Sequence, residues 1–98
     1  MGGENMTAYM ITYDLNAKGQ KYDEVIETIK KCSFNNAWCS FWKSSWLIKS
    51  TMTPSEIQSK IQPHLDSNDD LIVIEVKNNY QGWLTDEEWK YIRENIFN

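Results

Sequence analysis

One carboxylate occupies a position that suggests chemistry. Asp14 ends the apolar segment at residues 9–13 and is followed by a turn into a predicted helix. The carboxyl end of a central strand is where many sheet folds place ligand-binding groups. Two copies of Asp14 across a dimer axis could hold one divalent ion, Mg²⁺ or Mn²⁺, and so activate water for phosphodiester hydrolysis. The other interpretation is that Asp14 caps the turn or the first helix, as Asp does readily.

The remaining polar groups do not complete a catalytic set. The acidic segment 66–70 lacks the glycine and glutamate of a calcium loop, so it is interpreted as a solvated loop. Glu75 could join Asp14 on one sheet face or pair with a lysine. His64 is the only histidine and is assigned a structural role at a helix end. No serine has a paired base. No cofactor is expected unless the metal interpretation of Asp14 holds.

Composition favours an ordinary globular domain. The chain has 98 residues, a net charge of −4 and 13% aromatic residues. So many rings favour a homodimer or a partner interface. The acidic balance counts against strong nucleic-acid binding.

Cys32 and Cys39 fit no zinc motif and are expected to be free in a reducing, cytoplasmic compartment. No segment has the length of a membrane span.

Apolar periodicity predicts an α+β domain at residues 8–98, after a disordered leader at 1–7. Helices are expected from 20 to 32, after the N-cap Thr53, and after the N-cap Thr85. Four strands are expected between and around them, at 8–15, 37–42, 45–50 and 71–77. This order, β-α-β-β-α-β plus a C-terminal helix, is the ferredoxin-like pattern with an antiparallel sheet.

Both main helices of such a domain lie on one face of the sheet. Ile26, Ile29, Ile57, Ile61, Ile72 and Ile74 are predicted to form the core between helices and sheet. The opposite face is expected to carry Met10, Thr12, Leu71 and Val73, and a second copy of the chain would cover it. Trp46 is also predicted to belong to this interface. The hairpin aromatics Trp38, Phe41, Trp42 and Trp46 could also stack nucleic-acid bases, although such rings are more often core or interface.

Several segments carry a resemblance to a known group. They are residues 9–15, 44–49 and 65–69 and the triplet Gly82-Trp83-Leu84. Together they look like a widespread set of small bacterial and phage proteins grouped as the SinR family. The layout is similar to that of VapD toxins and of the small CRISPR-associated adaptation endonucleases. In those nucleases the aspartate that ends the first strand is the proposed metal-binding residue of a symmetric dimer, which corresponds here to Asp14.

The resemblance and the composition together lead to two functional hypotheses. The first is a homodimeric, non-catalytic regulatory protein of toxin–antitoxin or anti-phage systems, acting on a nucleic-acid enzyme or its complex. The alternative is a metal-dependent endoribonuclease that uses Asp14 from each protomer. The chain has no basic surface pattern like that of DNA-handling members, and it ends in a predicted helix instead of the strand those dimers exchange.

Overall fold

The described part of the chain forms a four-stranded antiparallel sheet with helices on both faces. The computed structural model describes residues 5–16 and 20–98. The strands are β1 (Thr7–Asp14), β2 (Trp38–Trp42), β3 (Ser45–Ser50) and β4 (Asp70–Val76). The helices are α1 (Gln20–Cys32), α2 (Pro54–Ile61) and α3 (Asp86–Tyr91). The predicted α+β class, antiparallel sheet and C-terminal helix are confirmed.

The strands lie side by side in the order β2-β3-β1-β4. β1 is central and pairs with β3 from Thr7↔Ser50 to Thr12↔Ser45. It pairs with β4 from Ala8↔Val76 to Asp14↔Asp70. Because directly opposed residues project to the same face, this register assigns every strand residue to one of two faces.

One face packs against α1 and α2 and holds the larger core. Val25, Ile29, Ile57 and Ile61 of the two helices are fully buried there against Ile11 of β1. These side chains recur at helical spacing, so each helix presents one apolar stripe to the sheet. The indole N–H of Trp46 donates to the Tyr13 hydroxyl across 3.1 Å within this core. Ile26 packs against it at partial burial.

The other face is partly covered by the C-terminal helix of the same chain. α3 continues into a π-helical segment, Ile92–Ile96. The N–H of the following residue, Phe97, donates to the Ile92 carbonyl. Ile92 and Ile96 are buried against Ala8 and Cys39 of the sheet. A second copy is therefore not needed to cover this part of the face, which differs from the expectation.

The prediction of which β4 residues face the helices is wrong. Leu71 and Val73 lie opposite Tyr13 and Ile11, so they pack on the helix-covered face. Trp46 is buried there as well. Ile72 and Ile74 lie opposite Thr12 and Met10 on the other face and are 51% and 45% exposed. The error arose because Leu71 to Ile74 is apolar at every position, so alternation alone does not identify the buried side.

Local signals placed the helix boundaries correctly. Thr53 and Glu56 form a capping box at α2, and Thr85 and Glu88 form another at α3. Pro63 lies in a short 3₁₀ segment, Gln62–His64, that follows α2, because proline lacks the N–H that an α-helix would use. β1 begins one residue earlier than predicted. Of the predicted leader and first turn, residues 1–4 and 17–19 lie outside the described residues.

Candidate functional site

Asp14 lies at the exposed end of β1, directly opposite Asp70, the first residue of β4. The two carboxylates project from the face that α3 leaves open, beside Thr12 and Ile72. Directly opposed residues in an antiparallel pair have Cβ atoms roughly 4.5–5.5 Å apart. Two acids at this spacing repel each other, and together they offer oxygen ligands to a cation.

A network of hydrogen bonds around Asp69 holds β4 in this position. The Asp69 carboxylate accepts the backbone N–H of Asn16 and of Asp66, each at 2.8 Å. Lys21 of α1 donates to the same carboxylate at 2.7 Å and also contacts Asp66. The loop before β4 is thereby tied to the end of β1 and the start of α1, which sets Asp70 across from Asp14.

The charge state of this network follows from its contacts. The backbone N–H groups of Asn16 and Asp66, followed by Lys21, hold the pKa of Asp69 well below its usual range. Hydrogen bonds to Asp66 and Asp69 raise the pKa of Lys21. Segment 66–70 was predicted to be a solvated loop. Asp66 is indeed exposed, but the Asp69 side chain is fully enclosed.

The described residues contain no group of three or more His, Cys, Asp or Glu side chains arranged to hold a metal. Asp14 and Asp70 form a two-carboxylate pair. Glu75 lies opposite Tyr9, on the helix-covered face, so it does not join them. His64 lies 3.7 Å from Glu24 and has a structural place beside α1. The interpretation of Asp14 as a cap of the following turn concerns residues 17–19, outside the described part.

The open part of the sheet is apolar beyond these two acids. Met10 and Thr12 do lie on this face, as predicted. Trp42 lies opposite Ser45 and is 53% exposed. With Ile72 and Ile74, these residues make a surface that we call the open-face patch.

A groove of about 280 Å³ continues the open-face patch toward α3. Met10, Leu47 and Val76 form its sheet side, and Trp89 and Ile92 form its helix side. Trp83 lies on its rim and is 98% exposed. Lys77 and Gln81 supply polar groups among the lining residues. Binding sites of this kind combine apolar walls with a few polar groups that orient the ligand.

The aromatic hairpin is divided between the two faces. Trp38 and Trp46 lie on the helix-covered side with ring centroids 5.4 Å apart, and Lys30 lies over Trp38. Phe41 packs toward α3, and Trp42 is exposed beside the groove. The rings therefore serve the core and the groove and do not form one continuous stacking surface.

Both cysteines are free and buried. Burial raises the pKa of Cys32, and it raises the pKa of Cys39 to about 12. Because the thiolate is the reactive form, neither side chain is poised as a nucleophile. No helix among the described residues is long and apolar enough to cross a membrane.

Two features of the site were not predicted. The sequence pattern predicts a loop at Asp70, and only the β1–β4 register, which depends on tertiary contacts, brings it across from Asp14. Trp83 enters the sequence interpretation only as part of the triplet Gly82-Trp83-Leu84. Its neighbours Gln81 and Gly82 and the following cap Thr85 mark a loop, and a tryptophan in an exposed loop is the signal that could have identified it.

Comparisons with family models, with curated proteins and with solved structures find no match.

Proposed function

We propose that this chain is a homodimeric, non-catalytic interaction protein of bacterial or phage conflict systems, which regulates a nucleic-acid enzyme or its complex. One observation carries the proposal. The open-face patch and the adjoining groove form a continuous apolar surface that ends at Trp83, which is 98% exposed. The class of conflict system rests on the resemblance given above.

Exposed apolar surfaces with polar rims commonly mark interaction sites. Trp83 and Trp42 both line the groove, and tryptophan is among the residues most often found at energetic centres of interfaces. Burying a tryptophan removes about 150–250 Å² of surface from water. A partner that packs against these rings would gain part of this contact.

The net charge of −4 supports a nucleic-acid enzyme as the partner. Such enzymes carry basic surfaces that bind phosphates, and an acidic protein is attracted to the same surfaces. The two buried, free cysteines support a cytoplasmic, reducing location. Affinity from charge of this kind should fall as salt rises, whereas the contribution of Trp83 should persist.

The proposal is tested by mixing the protein with nucleic-acid enzymes encoded by neighbouring genes. Complex formation is measured by light scattering, and enzyme activity is measured with and without the protein. We expect Trp83→Ser to weaken binding at least about tenfold, which corresponds to losing a hot-spot contact. Phe34→Ala is the matched control, because Phe34 is also an exposed aromatic but does not line the groove. Equal binding by wild type and Trp83→Ser would contradict the proposal.

A second candidate function is a metal-dependent endoribonuclease. The observation that favours it is the direct opposition of Asp14 and Asp70. Two carboxylates per chain would give four in a dimer, and Mg²⁺ or Mn²⁺ takes such oxygen ligands. A bound ion of this kind supplies an activated water to attack a phosphodiester. The residues that would hold it are Asp14 and Asp70.

The test of this candidate is RNA degradation in the presence of Mg²⁺ or Mn²⁺. The nuclease function requires that Asp14→Asn and Asp70→Asn each abolish cleavage, while Asp86→Asn retains it. Asp86 is a suitable control because it is an exposed aspartate at the start of α3. Cleavage that survives both Asp14→Asn and Asp70→Asn would come from another protein in the preparation.

We also infer that the domain is of the ferredoxin-like type. Two observations support this. The elements follow each other as β-α-β-β-α-β, and β1 lies in the middle of the sheet between β3 and β4. This is the arrangement expected when two β-α-β units interleave. An experimental structure with a different strand order would reject the inference.

A further inference from the structure

The two edges of the sheet differ in how they are protected. β2 forms one edge, and its pairing with β3 is irregular between Cys39 and Trp42. The backbone N–H of Trp38 at this edge donates to the Tyr91 hydroxyl at 3.2 Å, so α3 covers part of the strand. Short, irregular or covered edge strands resist pairing with other chains.

β4 forms the other edge and has none of these features. It is seven residues long, pairs with β1 without a shift in register, and contains neither proline nor lysine. Apart from Asp70 and Glu75, all of its residues are leucine, isoleucine or valine. A long, regular and apolar edge strand is a template for adding another strand.

The backbone groups available at this edge can be identified. Tyr13 N–H donates at 3.1 Å to the carbonyl of Ser44, the residue just before β3. The backbone N–H and C=O groups of odd-numbered β1 residues therefore point toward β3, and those of even-numbered residues point toward β4. The N–H and C=O groups of the even-numbered β4 residues pair with those of the even-numbered β1 residues. The N–H and C=O groups of Leu71, Val73 and Glu75 therefore point away from the sheet. Within residues 5–16 and 20–98, no hydrogen bond from a turn, a loop or a side chain ends on these N–H and C=O groups.

We propose that a second copy of the chain pairs with β4 through its own β4, antiparallel, with Val73 opposite the partner's Val73. In this register Leu71 lies opposite the partner's Glu75, so all three outward-pointing residues of each strand find partners. If the two-fold axis passed through Ile72 or Ile74 instead, one of the three outward-pointing residues would lie opposite a residue beyond the end of the partner's β4. The result is a continuous eight-stranded sheet with a two-fold axis perpendicular to it.

The same register also accounts for the exposed isoleucines. It places Ile72 opposite the partner's Ile74 in a pair without backbone hydrogen bonds, the type in which side chains approach most closely. Both isoleucines are about half exposed in the single chain. The charges agree with an antiparallel arrangement, because Asp70 then lies opposite the partner's Val76 and away from the partner's Asp70. Parallel pairing would bring Asp70 next to the partner's Asp70.

This inference rests on the homodimer in the proposed function and specifies how the two copies meet. It leaves most of the groove to a different protein, because Val76 is the one groove-lining residue that belongs to β4. It differs from the earlier expectation that the copies stack face to face through the sheet.

The test is the oligomeric state of Glu75→Pro, measured by light scattering over a range of concentrations. Proline removes the outward N–H of residue 75 without breaking a bond to β1, and the Glu75 side chain is exposed. We expect the dimer to weaken at least about tenfold, because two symmetry-related hydrogen bonds are lost. Glu75→Ala keeps the N–H and should remain dimeric. Circular dichroism checks that both variants are folded.

Hydrogen exchange of the wild type gives a second measurement that does not depend on the proline variant. The amides of Leu71, Val73 and Glu75 should exchange more slowly as the protein concentration rises. A wild type that is monomeric throughout would overturn both this inference and the homodimer. A dimer that persists in Glu75→Pro, or fast exchange of these amides in the dimer, would overturn only this inference. If the dimer persists in Glu75→Pro but dissociates in Met10→Glu, the interface lies on the sheet face and not at the β4 edge.

Discussion

Asp14 and Asp70 face each other across β1 and β4, so two negative charges end neighbouring strands on one face of the sheet. Like charges in this relationship reduce the stability of a sheet. We expect Asp14→Asn and Asp70→Asn each to raise the free energy of unfolding by about 0.2–1 kcal/mol. The double variant should gain less than the sum of the two, because either change alone removes the repulsion.

Urea unfolding of the four proteins measures this coupling. The gain in the free energy of unfolding should be smaller in high salt, which screens exposed charges. Mg²⁺ or Mn²⁺ adds a diagnostic, because an ion held by the pair would raise the melting temperature of the wild type only. Additive single changes would show that the two carboxylates do not interact.

Asp69 makes the stability depend on pH in the acidic range. Its pKa is lower in the folded protein than in the unfolded chain, so the unfolded state binds more protons as pH falls. The stabilisation is complete above the ordinary aspartate pKa of about 3.9 and is lost as pH falls toward the folded value. We expect Asp69→Ala to lower the melting temperature at neutral pH, with a difference from wild type that narrows below about pH 4.

Thermal unfolding from neutral pH to about pH 2 checks this prediction. Glu94→Gln is the control, because Glu94 is an exposed acid on the final helical segment, away from the Asp69 network. A constant difference between wild type and Asp69→Ala across the whole range would mean that the carboxylate charge contributes nothing.

The two isoleucine environments predict very different costs of truncation. Ile29 is fully buried between α1 and the sheet, so Ile29→Ala should lower the free energy of unfolding by about 2–5 kcal/mol. Ile72 is half exposed in the single chain, so Ile72→Ala should cost less than about 1 kcal/mol in dilute protein. Urea unfolding gives both values. A larger cost at Ile72 than at Ile29 would reverse the assignment of the two faces.

Cys39 should be unreactive until the protein unfolds. Burial raises its pKa to about 12, so almost no thiolate exists near neutral pH. We expect a thiol reagent at pH 8 to modify Cys39 at the rate of unfolding or local opening, and rapidly in urea. Cys39→Ser can be compared to attribute the signal to one site. Fast modification of the native wild type at Cys39 would contradict the buried position under α3.

Local signals in the sequence identified most elements of the fold. The capping boxes at Thr53 and Thr85 and the apolar stripes of α1 and α2 depend on residues near each other in the chain, so pattern alone reveals them. The hairpin of β2 and β3 was predicted for the same reason. The irregularity between Cys39 and Trp42 was missed, because no glycine or proline marks it.

Features that depend on distant contacts were the ones missed. The direction of each β4 side chain follows from pairing with β1, about 60 residues earlier, and a strand that is apolar on both sides gives no hint of it. The enclosure of Asp69 by Asn16 and Lys21 is of the same kind. The opposition of Asp14 and Asp70 is a further result of that pairing.

The contact between Tyr91 and the backbone of Trp38 limits how far the sheet can extend. A chain with two usable edges can add neighbours without end and form a filament. Here the Tyr91 hydroxyl of the chain's own C-terminal helix occupies one backbone N–H of the β2 edge, so the proposed pairing through β4 uses the more open edge of each chain. The proposed assembly would then close at two subunits, and the C-terminal helix would hinder fibre growth as well as cover the core.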